Sequence, residues 1–262
     1  MDIADHNRKA WNGYVASGNK WTKPFSPAQI ENARAGDLSD VVLTPNKSIP
    51  MEWYGDGGVR GKQLLCLAGG GGQQGPMFAA AGAHVTVYDM SDGQLGQDRF
   101  VAEREGLEIT TVQGDMRDLG VFEDASFDLI FHPCSNGFVP EILSVWKEAY
   151  RVLRSGGALL SGFVNPAIFT YDEDDADKPE AMLRHKVPYS DLEVLSKEEL
   201  EARAAKGRAL EFGHSLQDQI GGQTAAGFLI ADFFADGWSP EAGERDRWFE
   251  PFFATRALKL DL

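Results

Sequence analysis

Between residues 61 and 165 short apolar runs alternate with stretches of helical spacing, the pattern that parallel βαβ units leave in a sequence. Residues 63–68 (QLLCLA), 84–89 (HVTVYD), 108–112 (EITTV), 127–132 (FDLIFH) and 157–164 (GALLSGFV) are short and largely apolar instead of alternating, which predicts strands covered by helices on both faces. Between the last two, Val139, Ile142, Leu143, Trp146, Ala149, Tyr150 and Leu153 recur at the i, i+3, i+4 intervals of one helix face, and Gly156 and Gly157 are expected to stop that helix. Farther along, 217–228 reads as a helix, 229–234 (LIADFF) as a strand and 252–260 (FFATRALKL) as a final strand, while an Ala/Glu/Arg/Lys pattern over 198–210 predicts an exposed helix. The pattern as a whole predicts an α/β fold.

Two flanking zones differ. Residues 1–60 carry Trp11, Tyr14, Trp21, Phe25, Trp53 and Tyr54 among Pro24, Pro27, Pro45 and Pro50, which predicts a helix or two joined by loops. After Pro166 the run YDEDDAD at 171–177 is acidic at five of seven positions and reads as part of a solvated insertion over about 166–214. The expected division is an N-terminal helical and aromatic segment, 1–60, followed by a main domain, 61–262, which the acidic insertion interrupts near its sheet.

The chain's 262 residues suffice for one α/β domain with a cap, since domains usually run to ~100–200 residues. Hydrophobic residues at 43% and charged residues at 25% exclude disorder and a disulfide scaffold. A formal charge of −15 argues against a nucleic-acid partner, because phosphate backbones are bound mainly by basic side chains. No apolar run approaches the roughly 18 residues of a membrane span, and MDIADHNRKAWNGY has neither a signal core nor an Arg-rich targeting pattern, so the expected location is the cytoplasm. Cys66 and Cys134 sit in apolar stretches and read as reduced, buried thiols, and they supply no metal cluster.

The candidate chemistry lies where LLCLA runs into Gly69, Gly70, Gly71, Gly72, Gln73, Gln74 and Gly75 ahead of a helical stretch. Glycines there permit positive φ and close backbone approach, and a helix start offers N–H groups to a carboxylate or phosphate. Asp89 ends the second strand candidate, where a carboxylate can accept both hydroxyls of a ribose. Loop and acid together point to an adenosine-containing cofactor. They leave its identity open, since Gly70, Gly72 and Gly75 also satisfy G-x-G-x-x-G.

Downstream, Gly114-Asp115-Met116 follows the third strand candidate, 122–130 reads FEDASFDLI and 150–157 reads YRVLRSGG. Over about residues 62–165 this succession resembles the class I S-adenosylmethionine-dependent methyltransferases, in particular the type 11-like small-molecule enzymes. The resemblance implies a Rossmann-like seven-stranded sheet of order 3-2-1-4-5-7-6 with the last strand antiparallel, helices on both faces, an N-terminal helical lid and an insertion after strand five. It also implies that Ala68, Gly69, Gly70, Gly71 and Gly72 hold the methionine part of the cofactor, that Asp89 binds the ribose, and that Met90 lies beside the adenine. Asp115 and Met116 match the pair at the adenine amino group and ring face, and His132, Pro133 and Cys134 match the segment at the sulfonium end. Cys66 and Ala68 stand where the resemblance has an acid and the first glycine; Gln73 or Gln74 is then expected to hold the loop.

Methyl transfer from a sulfonium, with S-adenosylhomocysteine as product, is an in-line displacement that depends on alignment and exclusion of water. Where an acceptor must lose a proton, histidine is the side chain matched to neutral pH. His132, which follows strand four, and His214, which precedes the 217–228 helix, are the candidate bases; His6, His84 and His185 have no comparable placement in the sequence. Trp11, Tyr14 and Trp21 read either as a lid and acceptor pocket with cation–π contact to the sulfonium, or as core packing. The expected partner is a small-molecule methyl acceptor. Two other readings stay open here: an NAD(P)-dependent oxidoreductase, carried by the glycine pattern and Asp89, and a non-catalytic S-adenosylmethionine-binding protein, carried by Cys66 and Ala68.

Overall fold

In a computed structural model of the protein, residues 2–172, 180, 182–238 and 248–261 are described. The apolar runs form β1 (Gln63–Leu67), β2 (His84–Asp89), β3 (Ile109–Gln113), β4 (Phe127–His132) and β5 (Leu153–Val164), with β8 (Leu229–Asp236) and β9 (Phe252–Leu258) closing the sheet. Its order is β3-β2-β1-β4-β5-β9-β8, and β9 alone runs against its neighbours. The expected order and the antiparallel strand are both present.

Strand β1 shows why these runs do not alternate. Leu64 and Cys66 point into one core with Ile30, Met77, Phe78 and Leu95, whereas Leu65 and Leu67 point into a second with Ile130, Val145 and Trp146. The first core is covered by α2 (Pro27–Arg34), α3 (Gln74–Ala80) and α4 (Asp92–Glu105), and the second by α5 (Leu143–Val152) and α8 (Gly222–Ala226). Each fully buried Leu or Met side chain contributes about 1.5–3 kcal/mol of transfer free energy. Helix α4 is fixed at both ends, by the Ser91 side chain accepting from Gln94 N and by left-handed Gly106.

Three expected boundaries move. Strand β5 starts at Leu153, directly after α5, and Gly156 (φ 79°) lies in a bulge where the register on β4 shifts between Phe127 and Leu129. The glycines therefore mark a bulge inside the strand instead of a helix stop. The 217–228 helix divides into a π turn at Gln217–Gly221 and α8, ended by left-handed Gly227. The helix expected over 198–210 is α7 (Lys197–Ala205), and Ala209 and Leu210 are buried beneath the N-terminal helix α1 (Ile3–Ala16).

The insertion also holds β6 (Tyr189–Ser190) and β7 (Phe212–Gly213), paired antiparallel, with α6 (Asp191–Val194). Of the acidic run, residues 173–177 lie outside the described residues. Within the N-terminal zone, Trp53 and Tyr54 pack in the first core with Ile30 and Leu43. Helix α1 instead spans the top of the sheet: Asn7 donates to Phe138 O and Leu210 O and accepts from Leu210 N, while Asn12 Oδ1 accepts from Ser91 Oγ and Gly93 N.

Candidate cofactor and acceptor site

A cavity of about 980 Å³ opens at the carboxyl ends of β1, β2 and β4, where open α/β sheets place ligands. Its inner wall is built from Ala68, Gly69, Gly70, Gln73 and Gln74 after β1, Asp89, Met90 and Gln94 after β2, Met116 after β3, and Pro133 and Cys134 after β4. Trp11, Tyr14 and Trp21 roof it. The outer lobe belongs to the insertion, with Phe169, Asp172, His185 and Tyr189 on its wall. Such a volume is at the upper end of small-molecule sites, enough for a nucleoside cofactor beside a small acceptor.

The loop meets β2 and α4 at the limit of backbone packing. A Cβ on Gly70 would stand 2.9 Å from Gln94 Cβ and 3.3 Å from Asp89 Oδ2, and one on Gly72 (φ 72°) would stand 2.8 Å from Gln97 O. Ala68 takes φ 48°, a left-handed conformation that an L-residue adopts at a cost of roughly 1 kcal/mol. Asp89 Oδ2 accepts from Gly70 N at 3.1 Å and Oδ1 from Ser91 N at 2.9 Å, and burial pushes its carboxyl up to about 6. Gly71 N donates at 2.9 Å to Oδ2 of Asp98, a residue on α4 to which the sequence offered no pointer. Gln73, expected to hold the loop, ties it to the roof by donating to Lys23 O at 2.9 Å.

Gln94 Oε1 is buried and has no hydrogen-bond partner among the described residues, although its side chain lies on the cavity wall near Asp89. An unpaired acceptor beside a carboxylate fits the two hydroxyls of a ribose, and Met90 and Met116 offer apolar, polarizable surface for a purine. The residues present therefore fit an adenosine cofactor. Gln94 was missed in the sequence because it is one amide within a polar helical stretch.

The remaining expected residues divide. Gly71 and Gly72 do not line the cavity; they form its backing. Asp115 faces a second hollow of about 230 Å³ that shares Met90 with the first. Burial alone would raise the Asp115 carboxyl, but its bonds to Arg117 outweigh this and hold it below the ordinary value.

Neither candidate base reaches the cavity. His132 is fully buried, Nδ1 donating to Leu67 O at 2.8 Å and Nε2 lying 2.5 Å from Asn136 Oδ1. Nε2 of His214 donates to Asn136 O and Val139 O, both at 3.0 Å. Burial holds both imidazoles below their ordinary value. They brace the turn after β4. The histidine on the cavity wall is His185, whose Nε2 lies 2.7 Å from Asp172 Oδ1 and whose ring packs edge-on against Tyr189 at 5.5 Å. Asp172 is also paired with Arg184 at 2.8 Å.

A sheet of this order, with a glycine loop and an acid at the ends of its first two strands, defines a class I methyltransferase fold. Comparison with known proteins agrees. Residues 65–161 match the model of the methyltransferase domain family. Over 98% of this chain and 99% of the other, the sequence is 48% identical to a protein of Bacillus subtilis described as the uncharacterized methyltransferase YbaJ. The fold is similar to an S-adenosylmethionine-dependent methyltransferase from Mesorhizobium loti (TM-score 0.60, 17% identity, 80% of this chain and 93% of that one). It is also similar to the Burkholderia thailandensis 1,6-didemethyltoxoflavin-N1-methyltransferase, solved with S-adenosylhomocysteine (TM-score 0.56, 15% identity, 98% of this chain and 89% of that one). The chain belongs to the S-adenosylmethionine-dependent methyltransferase family. It is an enzyme of that family, and the oxidoreductase and non-catalytic alternatives give way to this assignment.

Proposed function

We propose that the protein methylates a small, planar, largely apolar acceptor bearing an ionisable ring hydroxyl or ring N–H, and that His185 takes up the acceptor's proton. The observation that carries this reading is the His185–Asp172 pair on the wall of the same cavity whose inner end is the glycine loop. When bound, the cofactor supplies a methyl group activated on a sulfonium. Asp89 and Gln94 accept the ribose hydroxyls, Met90 and Met116 enclose the adenine, and Ala68, Gly69 and Gly70 with Pro133 and Cys134 flank the methionine and sulfonium end. Trp11, Tyr14 and Trp21 close the roof and exclude water, which strengthens every polar contact inside. Asp172 orients the His185 ring so that one nitrogen is free for the acceptor, with Arg184 steadying the carboxylate.

Aromatic surface supports the acceptor class: Phe169 and Tyr189 stack at 5.2 Å on the outer lobe, and Trp11 in the roof packs edge-on to Phe138 at 5.0 Å, both lining the same cavity. In this reading, residues 2–25 act as the lid, and residues 166–172 and 182–214 as the acceptor cap. No described helix is long and apolar enough to cross a membrane. A formal charge of −15 favours a small-metabolite acceptor over nucleic acid.

The test is a rate series with substituted phenols and benzimidazoles, from acceptors already ionised at neutral pH, such as 4-nitrophenol, to phenol itself. The wild type is expected to methylate members of the series, and His185→Gln to lose roughly 10²–10⁴-fold on phenol while keeping most of its rate on 4-nitrophenol. Equal losses on both would remove the base role, and no methylation of any member by cofactor-loaded enzyme would remove the acceptor class.

A further inference from the structure

Two successive amides of the glycine loop are each held by a buried carboxylate. Gly70 N donates to Asp89, at the end of β2, and Gly71 N donates to Asp98, one turn beyond Gln94 on α4. Asp98 is fully buried. Its Oδ1 has no partner among the described residues and lies 3.3 Å from where a Cβ on Gly75 would stand, with Cys66 Sγ 3.9 Å from the same point. The groups around it are Asp89 from β2, Cys66 from β1, and Arg99 on its own helix, whose guanidinium donates to Thr111. Gly72 N adds a second amide and Arg99 offsets part of the charge, but none of these groups forms an ion pair with Asp98, and burial still outweighs them; a buried carboxylate without an ionic partner is costly.

We propose that Asp98 is a positioning residue for the cofactor: it holds the loop from behind, and with Asp89 it presents a buried negative charge that is compensated by the cationic cofactor and not by the neutral product. The inference rests on the S-adenosylmethionine assignment and goes beyond it. S-adenosylmethionine carries a net positive charge and S-adenosylhomocysteine does not, so the acid pair discriminates substrate from product through charge. Burial raises both carboxyls, and the Asp89 charge raises Asp98 further, so full ionisation of the pair requires pH above neutral. Binding of the cation then expels a proton where the pair is partly protonated.

The experiment is calorimetric titration of the full chain with S-adenosylmethionine and with S-adenosylhomocysteine at about pH 6 and about pH 8, in two buffers of different ionisation enthalpy. For the wild type, the expected result is tighter binding of S-adenosylmethionine at the higher pH, a flatter response for S-adenosylhomocysteine, and buffer-dependent heat at the lower pH that reports proton release. Asp98→Asn is expected to weaken S-adenosylmethionine by roughly 10- to 100-fold and to flatten its pH response. Cys66→Asp combined with Asp98→Ala returns a carboxylate to the same pocket from β1 and is expected to recover much of the affinity. Wild-type binding without proton release, or Asp98→Asn binding as tightly as wild type with the same pH response, overturns the proposal. Failure of the wild type to bind either compound would instead strike the cofactor assignment.

Discussion

Asp89 and Gln94, the acceptors proposed for the ribose hydroxyls, would place much of the cofactor's binding on single side chains. Asp89→Ala is expected to weaken S-adenosylmethionine binding by about 1.5–3 kcal/mol, the range for hydrogen bonds to charged groups, read as the change in Kd. His132→Ala and His214→Ala carry a different expectation, because both imidazoles are bonded inside the fold. Each is expected to lower unfolding free energy by about 1–3 kcal/mol in denaturant titrations while leaving the cofactor Kd unchanged. Ala68→Gly relieves a left-handed alanine and is expected to raise stability by up to about 1 kcal/mol. Asp89 was legible because the end of an apolar run announces itself. His185 was not, because its partner Asp172 lies 13 residues away across the insertion.

At the level of elements, the N-terminal helix is secured mostly by polar contacts. Asn7 is fully buried and makes three hydrogen bonds from α1 to Phe138 and Leu210. Asn7→Ala leaves those backbone groups unpaired and is expected to cost about 1–3 kcal/mol. Because α1 roofs the cavity, the same variant is expected to speed amide exchange at residues 2–22 far more than in the strands. Apart from the start of β5, which lies four residues earlier than its apolar run, the strands of the main sheet were readable to within a residue or two, since a double-sided apolar run is a local signal. The π turn at Gln217–Gly221 and the bulge in β5 were not, because both are set by what packs against them: Trp146 Nε1 donates to Asp218 O, and Gly156 N donates to Lys259 O.

Across the whole molecule, the buried acid pair couples stability to pH. Both carboxyls are raised in the folded chain above the ordinary 3.8, to about 6 for Asp89 and about 7 for Asp98. The sign follows: the stability they contribute is fully present below about pH 4 and is lost as pH rises through about 6 and 7. Thermal melts of the cofactor-free protein are therefore expected to show Asp98→Asn gaining on wild type between about pH 5 and about pH 8. No gain would mean that the charge is compensated elsewhere. A chain of net charge −15 adds self-repulsion in the same direction.

The sequence by itself determined the α/β class, the strands, the glycine loop and Asp89, because each is written in a few neighbouring residues through side-chain period or backbone freedom. Tertiary structure alone decided which side chains meet. It placed Asp98 behind Gly71, 27 residues distant, left Gln94 Oε1 unpaired near the cavity, turned His132 and His214 into braces, and brought His185 and Asp172 to the outer wall. These are contacts between segments whose approach depends on burying both faces of the sheet at once, and that cooperative packing is not contained in any single stretch of the chain.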